Sequence, residues 1–150
     1  MTFDIERLCT GDASRMRALN AMFGEAFGDP ETYHRHPPDD AYAAAILSDP
    51  NVILLVATAD ERVIGGLGAY RLPKFEQARS EIYIYDLAVA EDWRRRGVAV
   101  RLIEELRRIG RETGCWMIFV QADLEDEPAL ALYRKLAVSE EQPLHFDIAP

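Results

Sequence analysis

Cysteine is nearly missing from this 150-residue chain: Cys9 and Cys115 stand far apart, with no CxxC. That excludes a disulfide framework and a thiolate zinc site. Histidine is as scarce. His34 and His36 form an H-x-H pair in a proline-rich loop, and His145 stands alone. With no carboxylate at a fixed spacing they make no ligand set, so no metal is expected. No apolar run approaches the roughly 20 residues of a membrane span. Met1–Glu6 has no signal-peptide pattern, and a cytoplasmic location is expected. Positive charge is in deficit, with 17 Lys and Arg against 26 Asp and Glu, a net −9. An acidic body repels phosphate backbones, which argues against nucleic acid as a partner. It suits a cationic small molecule, although ordinary solubility charge gives the same balance.

Apolar residues make up 49% of the chain, enough for one domain over residues 1–150 with a real core. Phe3–Leu8 alternates as an edge strand. Asp12 or Ser14 opens a helix to Phe27, with Met16, Leu19, Met22, Phe23 and Phe27 at helical spacing. Gly28-Asp29-Pro30 stops it. His34–Asp40 reads as a loop and Tyr42–Leu47 as a helix. Asn51–Ala59, Val63–Leu72 and Glu81–Val89 read as strands. Helix 97–113 follows, then strand Cys115–Ala122, a helix from Pro128 to Leu136, and a short final strand Leu144–Ile148. Meandering strands followed by β-α-β imply a mixed sheet with helices on both faces.

The richest stretch is residues 85–99. A strand ends at Val89, an acidic turn follows, and Arg94-Arg95-Arg96-Gly97-Val98-Ala99 opens a helix. The first N–H groups of a helix lack internal partners and sit at the positive end of its dipole, which makes an anion site. Three arginines add forked donors suited to phosphate. The charge is local: segment 94–111 holds seven arginines against Glu104 and Glu105, a net +5 that leaves −14 elsewhere. The alternative is an arginine-rich helix start that merely meets solvent. Asp86 is unusual in a different way. A carboxylate on a central strand between Tyr85 and Leu87 needs a partner or a purpose. A structural salt bridge to an arginine is one reading, and a base or amine ligand is the other.

Arg94-x-x-Gly97-x-Ala99 is similar to the pyrophosphate loop of the GNAT acetyltransferases. The stretch Leu72–Val89, Val120-Gln121-Ala122-Asp123, Ala131-Leu132-Tyr133 and His145-Phe146-Asp147-Ile148 resemble the gentamicin-type aminoglycoside 3-N-acetyltransferases within that superfamily. The resemblance is densest from Leu72 to Tyr133. It implies a single-domain α/β GNAT fold, with a mixed sheet of about six to seven strands, splayed in the middle, and about four helices. It also implies acetyl-CoA-dependent acetylation of the 3-amino group of a 2-deoxystreptamine ring by direct transfer, bacterial antibiotic resistance, and no metal. A polyamine or peptide N-terminus as acceptor, or a CoA-binding module without turnover, are the alternatives. Many members of the family pair as homodimers.

The resemblance assigns roles residue by residue. Arg94, Arg95, Arg96, Gly97, Val98 and Ala99 would hold the CoA diphosphate. Leu87 and Val89 would offer backbone groups to pantetheine and thioester, with their side chains in the core. Tyr133, in Ala129-x-x-Leu132-Tyr133, would be the general acid, where spacing alone reads as a core tyrosine with a wet hydroxyl. Asp86 would be the base. Glu81, Tyr83, Asp123, Glu125 and Asp126 are pocket candidates for the acceptor. Asp126 stands where the superfamily usually has Asn, and it can equally cap the following helix. Ala137 replaces the usual glycine of Leu-Gly-Phe, so that turn is expected to differ.

Overall fold

Strands with apolar residues on both faces must be covered on both faces, and helices do so here. The structure, a computed structural model, describes residues 2–150. The order is β1 (Asp4–Arg7), α1 (Ala13–Phe27), α2 (Pro30–His34), α3 (Asp40–Ser48), β2 (Val52–Ala59), β3 (Arg62–Pro73), β4 (Ser80–Val89), a 3-10 turn at Glu91–Trp93, α4 (Val98–Glu112), β5 (Cys115–Val120) and α5 (Glu127–Leu136). One sheet runs β1-β2-β3-β4-β5, antiparallel except for the parallel β4–β5 pair. On one face Leu102, Leu106 and Ile109 of α4 pack on Ile53, Leu67 and Ile82. On the other, Leu19, Met22 and Phe23 of α1 and Ala43 of α3 pack on Val56. Gly66 marks the closest approach of α1. A Cβ there would stand 2.1 Å from Leu19 Cδ1 and 3.0 Å from the Leu55 carbonyl.

Two expectations are corrected. The sheet has five strands rather than six or seven, because Leu144–Ile148 pairs with nothing among the described residues. Alternation makes a strand only where an edge receives it. There are five α-helices rather than four. Asp29-Pro30 ends α1 and also starts α2: the Asp29 carboxylate accepts from Thr32 N–H at 3.1 Å, and Pro30 fills the first turn. At Ala137 the chain leaves α5 extended, with φ −73° and ψ 148°, so no left-handed turn is required there.

Two features of β4 shape the site. It pairs with β5 only from Ser80 to Ile84, so Tyr85–Val89 diverges from β5. On the β3 side, Gly68 faces Asp86 while Ala69 faces Ile84, which makes Tyr85 an inserted bulge residue. A bulge reverses the alternation of the strand beyond it. Ile82 and Ile84 point to the α4 side, and so do Leu87 and Val89. Asp86 and Ala88 therefore point to the α1–α2 side, where Ala88 joins the α1 cluster.

Candidate functional site

The bulge at Tyr85 keeps Asp86 out of the α4 core. Its half-buried carboxylate accepts a hydrogen bond from the Tyr33 hydroxyl at 2.5 Å. No cation pairs with it among the described residues, so the arginine salt-bridge reading is set aside. Burial raises the Asp86 carboxyl above the usual carboxylate range, while the Tyr33 hydrogen bond pulls it back. Tyr33 comes from α2, the helix hidden in the sequence reading. Its ring packs between Phe23 and Phe27, with centroids at 5.9 and 5.7 Å, so its hydroxyl is aimed by packing. Burial and Asp86 hold that phenol protonated, far above its ordinary range.

Aromatic rings line the sheet beside Asp86. Tyr85 meets Tyr70 edge-on at 6.0 Å and Tyr83 at 5.6 Å, and Tyr83 stacks on Phe119 at 4.8 Å. The Tyr83 hydroxyl donates to Gln121 Oε1 at 2.8 Å. Tyr70 and Tyr85 remain open to solvent. Exposed rings in a row next to an unpaired carboxylate form a floor suited to C–H faces and ammonium groups. Tyr83 was a candidate from sequence, whereas Tyr33, Tyr70 and Tyr85 were not. The legible signal was the parity jump of the apolar residues, from Ile82 and Ile84 to Leu87 and Val89.

The arginine loop follows at the end of β4. Trp93 is buried and anchors it, with Phe3 edge-on at 6.2 Å and the Arg96 guanidinium 5.1 Å over the ring. Arg94 Nε donates to the Val89 carbonyl at 3.3 Å. Arg95 holds φ 61°, an uncommon left-handed conformation for a side-chain-bearing residue. Gly97 follows at φ 81° and caps α4. Val98 is buried in the core, so only its backbone is available. No carboxylate stands within ion-pair distance of Arg94, Arg95 or Arg96 among the described residues, whereas Arg107 and Arg108 on the following helix α4 are paired to Glu104, Glu105 and Glu112. Unpaired arginines, a left-handed loop and a free helix N-terminus form a donor set for a diphosphate.

Tyr133 lies on α5, half-buried on the α4-side cluster. Its hydroxyl has no hydrogen-bond partner among the described residues. Burial, and after it the Asp126 charge, push it up to about 12. Tyr133 and Asp86 thus lie on opposite faces of the sheet, beside the stretch where β4 and β5 no longer pair.

The remaining candidates are dispersed. Asp126 caps α5, accepting from Ala129 N–H at 3.2 Å. Asp123 and Glu125 are exposed in the loop after β5. Glu81 sits at the other end of β4, roughly 16 Å from Asp86 at the usual strand rise. It is engaged by Trp116 Nε1 at 3.3 Å and Lys74 at 3.8 Å. Among the described residues no His, Cys, Asp and Glu side chains gather into a metal-binding group, and no helix is long and apolar enough to cross a membrane.

The acetyltransferase (GNAT) family pattern matches residues 16–137. The chain belongs to that family. GNAT enzymes use acetyl-CoA, and the donor set of the arginine loop fits its diphosphate. Among solved structures, an aminoglycoside acetyltransferase from an uncultured soil metagenomic sample is 52% identical, with TM-score 0.96 over 100% of this chain and 99% of its own. The aminoglycoside acetyltransferase meta-AAC0020, also from an uncultured soil metagenomic sample and in complex with sisomicin, is 32% identical, with TM-score 0.90 over 99% of this chain and 96% of its own. A curated N-alpha-acetyltransferase of Saccharolobus solfataricus is 28% identical over 101 residues, 60% of this chain; the match spans 58% of that relative's length.

Proposed function

We propose that this GNAT enzyme is a bacterial, cytoplasmic aminoglycoside 3-N-acetyltransferase. It acetylates the 3-amino group of the 2-deoxystreptamine ring of gentamicin-like antibiotics and confers resistance. One observation carries the reading: Asp86, a desolvated carboxylate without a cation, lies at the open end of β4 beside exposed tyrosines. Such a group attracts an amine and accepts its proton. The similar aminoglycoside acetyltransferases support the substrate class.

Acetyl-CoA, when bound, supplies the thioester carbon that the amine attacks. Arg94, Arg95, Arg96 and the N–H groups of Gly97, Val98 and Ala99 hold its diphosphate. From Leu87 to Val89 the β4 backbone has no β5 partner, and its groups that face away from β3 would bond the pantetheine arm and steady charge on the carbonyl oxygen, the Val89 carbonyl being already taken by Arg94 Nε. As the C–N bond forms and the C–S bond breaks, Asp86 takes the amine proton, directly or through water. Tyr133 gives its proton to the departing sulfur. Tyr83, Asp123, Glu125 and Asp126 border the acceptor; Glu81 acts only toward an acceptor long enough to span β4.

The likeness to an N-alpha-acetyltransferase favours a second reading, with a peptide N-terminus as acceptor. Thiol release from acetyl-CoA across a panel of aminoglycosides, polyamines and peptides separates the two. Turnover confined to 2-deoxystreptamine aminoglycosides supports the proposal. Turnover confined to peptides or polyamines replaces it, and acetyl-CoA binding without thiol release leaves a binding module.

The cofactor site has its own test. Gly97→Asp puts a negative charge among the arginines and is expected to weaken acetyl-CoA at least tenfold, about 1.4 kcal/mol. No atom lies within 4 Å of the added Cβ, so the fold is spared a clash, although φ of 81° remains strained for both variants. Gly97→Asn carries that strain without the charge and is expected to lose less. Equal calorimetric affinities for the two variants would leave the backbone, not the charge, as the cause.

A further inference from the structure

Tyr83 of β4 has Tyr70 of β3 on one side and Phe119 of β5 on the other, each its register partner. The three rings therefore share one face of the sheet, the face that carries Asp86. Tyr85, the bulge residue, stands edge-on to both Tyr70 and Tyr83. Farther along, this face is covered by α1 and α3. Here it is open: Tyr85, Tyr70 and Phe119 are 65%, 44% and 38% exposed. Four adjacent aromatic rings left in water need an explanation that a single exposed ring does not.

The line of rings is uncharged. Burial, and after it the Asp86 charge, raises the Tyr70 phenol; burial, then Tyr85 and Asp86, raise that of Tyr83. Both hydroxyls keep their protons at neutral pH. The rings that carry a guanidinium in this protein are Phe3, Trp93 and Trp116, and none of these four is among them. The backbone of Tyr83 is paired to strands on both sides, so it offers nothing to an extended peptide. A polyamine would need carboxylates at intervals, and the line holds none. What remains is a row of flat, apolar, electron-rich faces. Those faces suit the C–H side of a sugar ring, whose hydroxyls can stay in water at its rim.

The placement fits an acceptor built from linked rings. Gly68 faces Asp86, and Tyr70 lies two residues farther along β3, about 7 Å at the usual strand rise. From Tyr70 across to Phe119 the line spans two strand spacings, on the order of 10 Å. A ring whose amine reaches Asp86 thus leaves its neighbouring ring over the tyrosines.

We propose that Tyr70, Tyr83, Tyr85 and Phe119 form a platform for the face of one sugar ring, the ring attached next to the amine that Asp86 receives. The position of that amine rests on the acceptor reading above; the platform does not. A platform of this kind reads the presence of the ring and not its charge. It favours glycosylated acceptors over the bare central ring, and it tolerates a hydroxyl in place of an amine on the stacked sugar.

Three acceptors test this. 2-Deoxystreptamine has no sugar, neamine carries one on the carbon beside the 3-amino group, and paromamine is neamine with one amine of that sugar replaced by hydroxyl. Neamine and paromamine are both expected to exceed 2-deoxystreptamine in kcat/KM. That preference should fall roughly tenfold in Phe119→Leu and in Tyr85→Leu, the upper worth of one aromatic contact, and should survive in Phe119→Tyr, which keeps the ring. A preference unchanged in both leucine variants overturns the proposal. So does paromamine falling to the level of 2-deoxystreptamine, because an amine would then be what is read. Maltose, a neutral disaccharide, tests the platform without any reaction: titrated into the parent chain, it is expected to shift the ring-proton resonances of Tyr85 and Phe119. Shifts without turnover of any aminoglycoside would keep the platform and remove the acceptor reading. Turnover without such shifts would keep the acceptor reading and remove the platform.

Discussion

Asp86→Asn is expected to lower kcat/KM for aminoglycoside acceptors at least ~100-fold, the usual minimum for losing a general base, with acetyl-CoA affinity unchanged. The substitution is narrow. Asparagine has the same shape, and its carbonyl can still accept from the Tyr33 hydroxyl, so charge and basicity are what is lost. Stability should move the other way. Burial raises the Asp86 carboxyl above its unfolded range, so its contribution to stability is present at low pH and is lost as pH rises through the folded value. At neutral pH the ionised group therefore burdens the fold, and Asp86→Asn should melt no lower than the parent. Tyr33→Phe gives the companion result. It keeps the packing against Phe23 and Phe27 but removes the hydrogen bond that favours the ionised carboxylate. Asp86 should then hold its proton to higher pH, and the acid limb of kcat/KM should move up. An unmoved limb would mean that Asp86 is not the group titrating there, and near-parental activity in Asp86→Asn would reduce it to an acidic neighbour.

What the sequence announced and what it hid divide along a physical line. Helix α4 was plain because Leu102, Leu106 and Ile109 repeat at helical spacing, and its start was plain because Gly97 has no substitute of equal ease at φ 81°. The strands β2 to β4 were plain as runs of apolar and β-branched residues. α2 was hidden by its brevity: five residues show no period, and Asp29-Pro30 was read only as the end of α1. The Leu144–Ile148 strand was misread because alternation describes a face and says nothing of where the partner edge lies. The arginine loop was legible as a local segment. The surroundings of Asp86 were not, since the partner 2.5 Å away is Tyr33, fifty-three positions earlier in the chain. The bulge lies between these cases. It leaves a mark, the parity jump from Ile84 to Leu87, but that mark gains meaning only once β3 is known to face it.

Tyr133→Phe is expected to reduce kcat roughly 10²-fold while acetyl-CoA binding and melting temperature stay close to parental. The structure supplies the reason for expecting so clean a separation. The ring packs on the α4-side cluster, and phenylalanine keeps that contact. The hydroxyl has no partner among the described residues, so deleting it breaks no hydrogen bond. The proton is also well kept. With the phenol pushed up to about 12, Tyr133 stays neutral across the working range and can donate to a departing thiolate. No fall in parental activity near pH 10 should therefore trace to it. Its raised value makes its contribution to stability constant below the unfolded phenol range near 10. That contribution is lost only as pH climbs toward 12, so parent and variant should melt alike at neutral pH. Single-turnover rates for the two proteins at saturating acetyl-CoA decide the matter: equal rates would make Tyr133 a packing residue, and the thiolate would then take its proton from water.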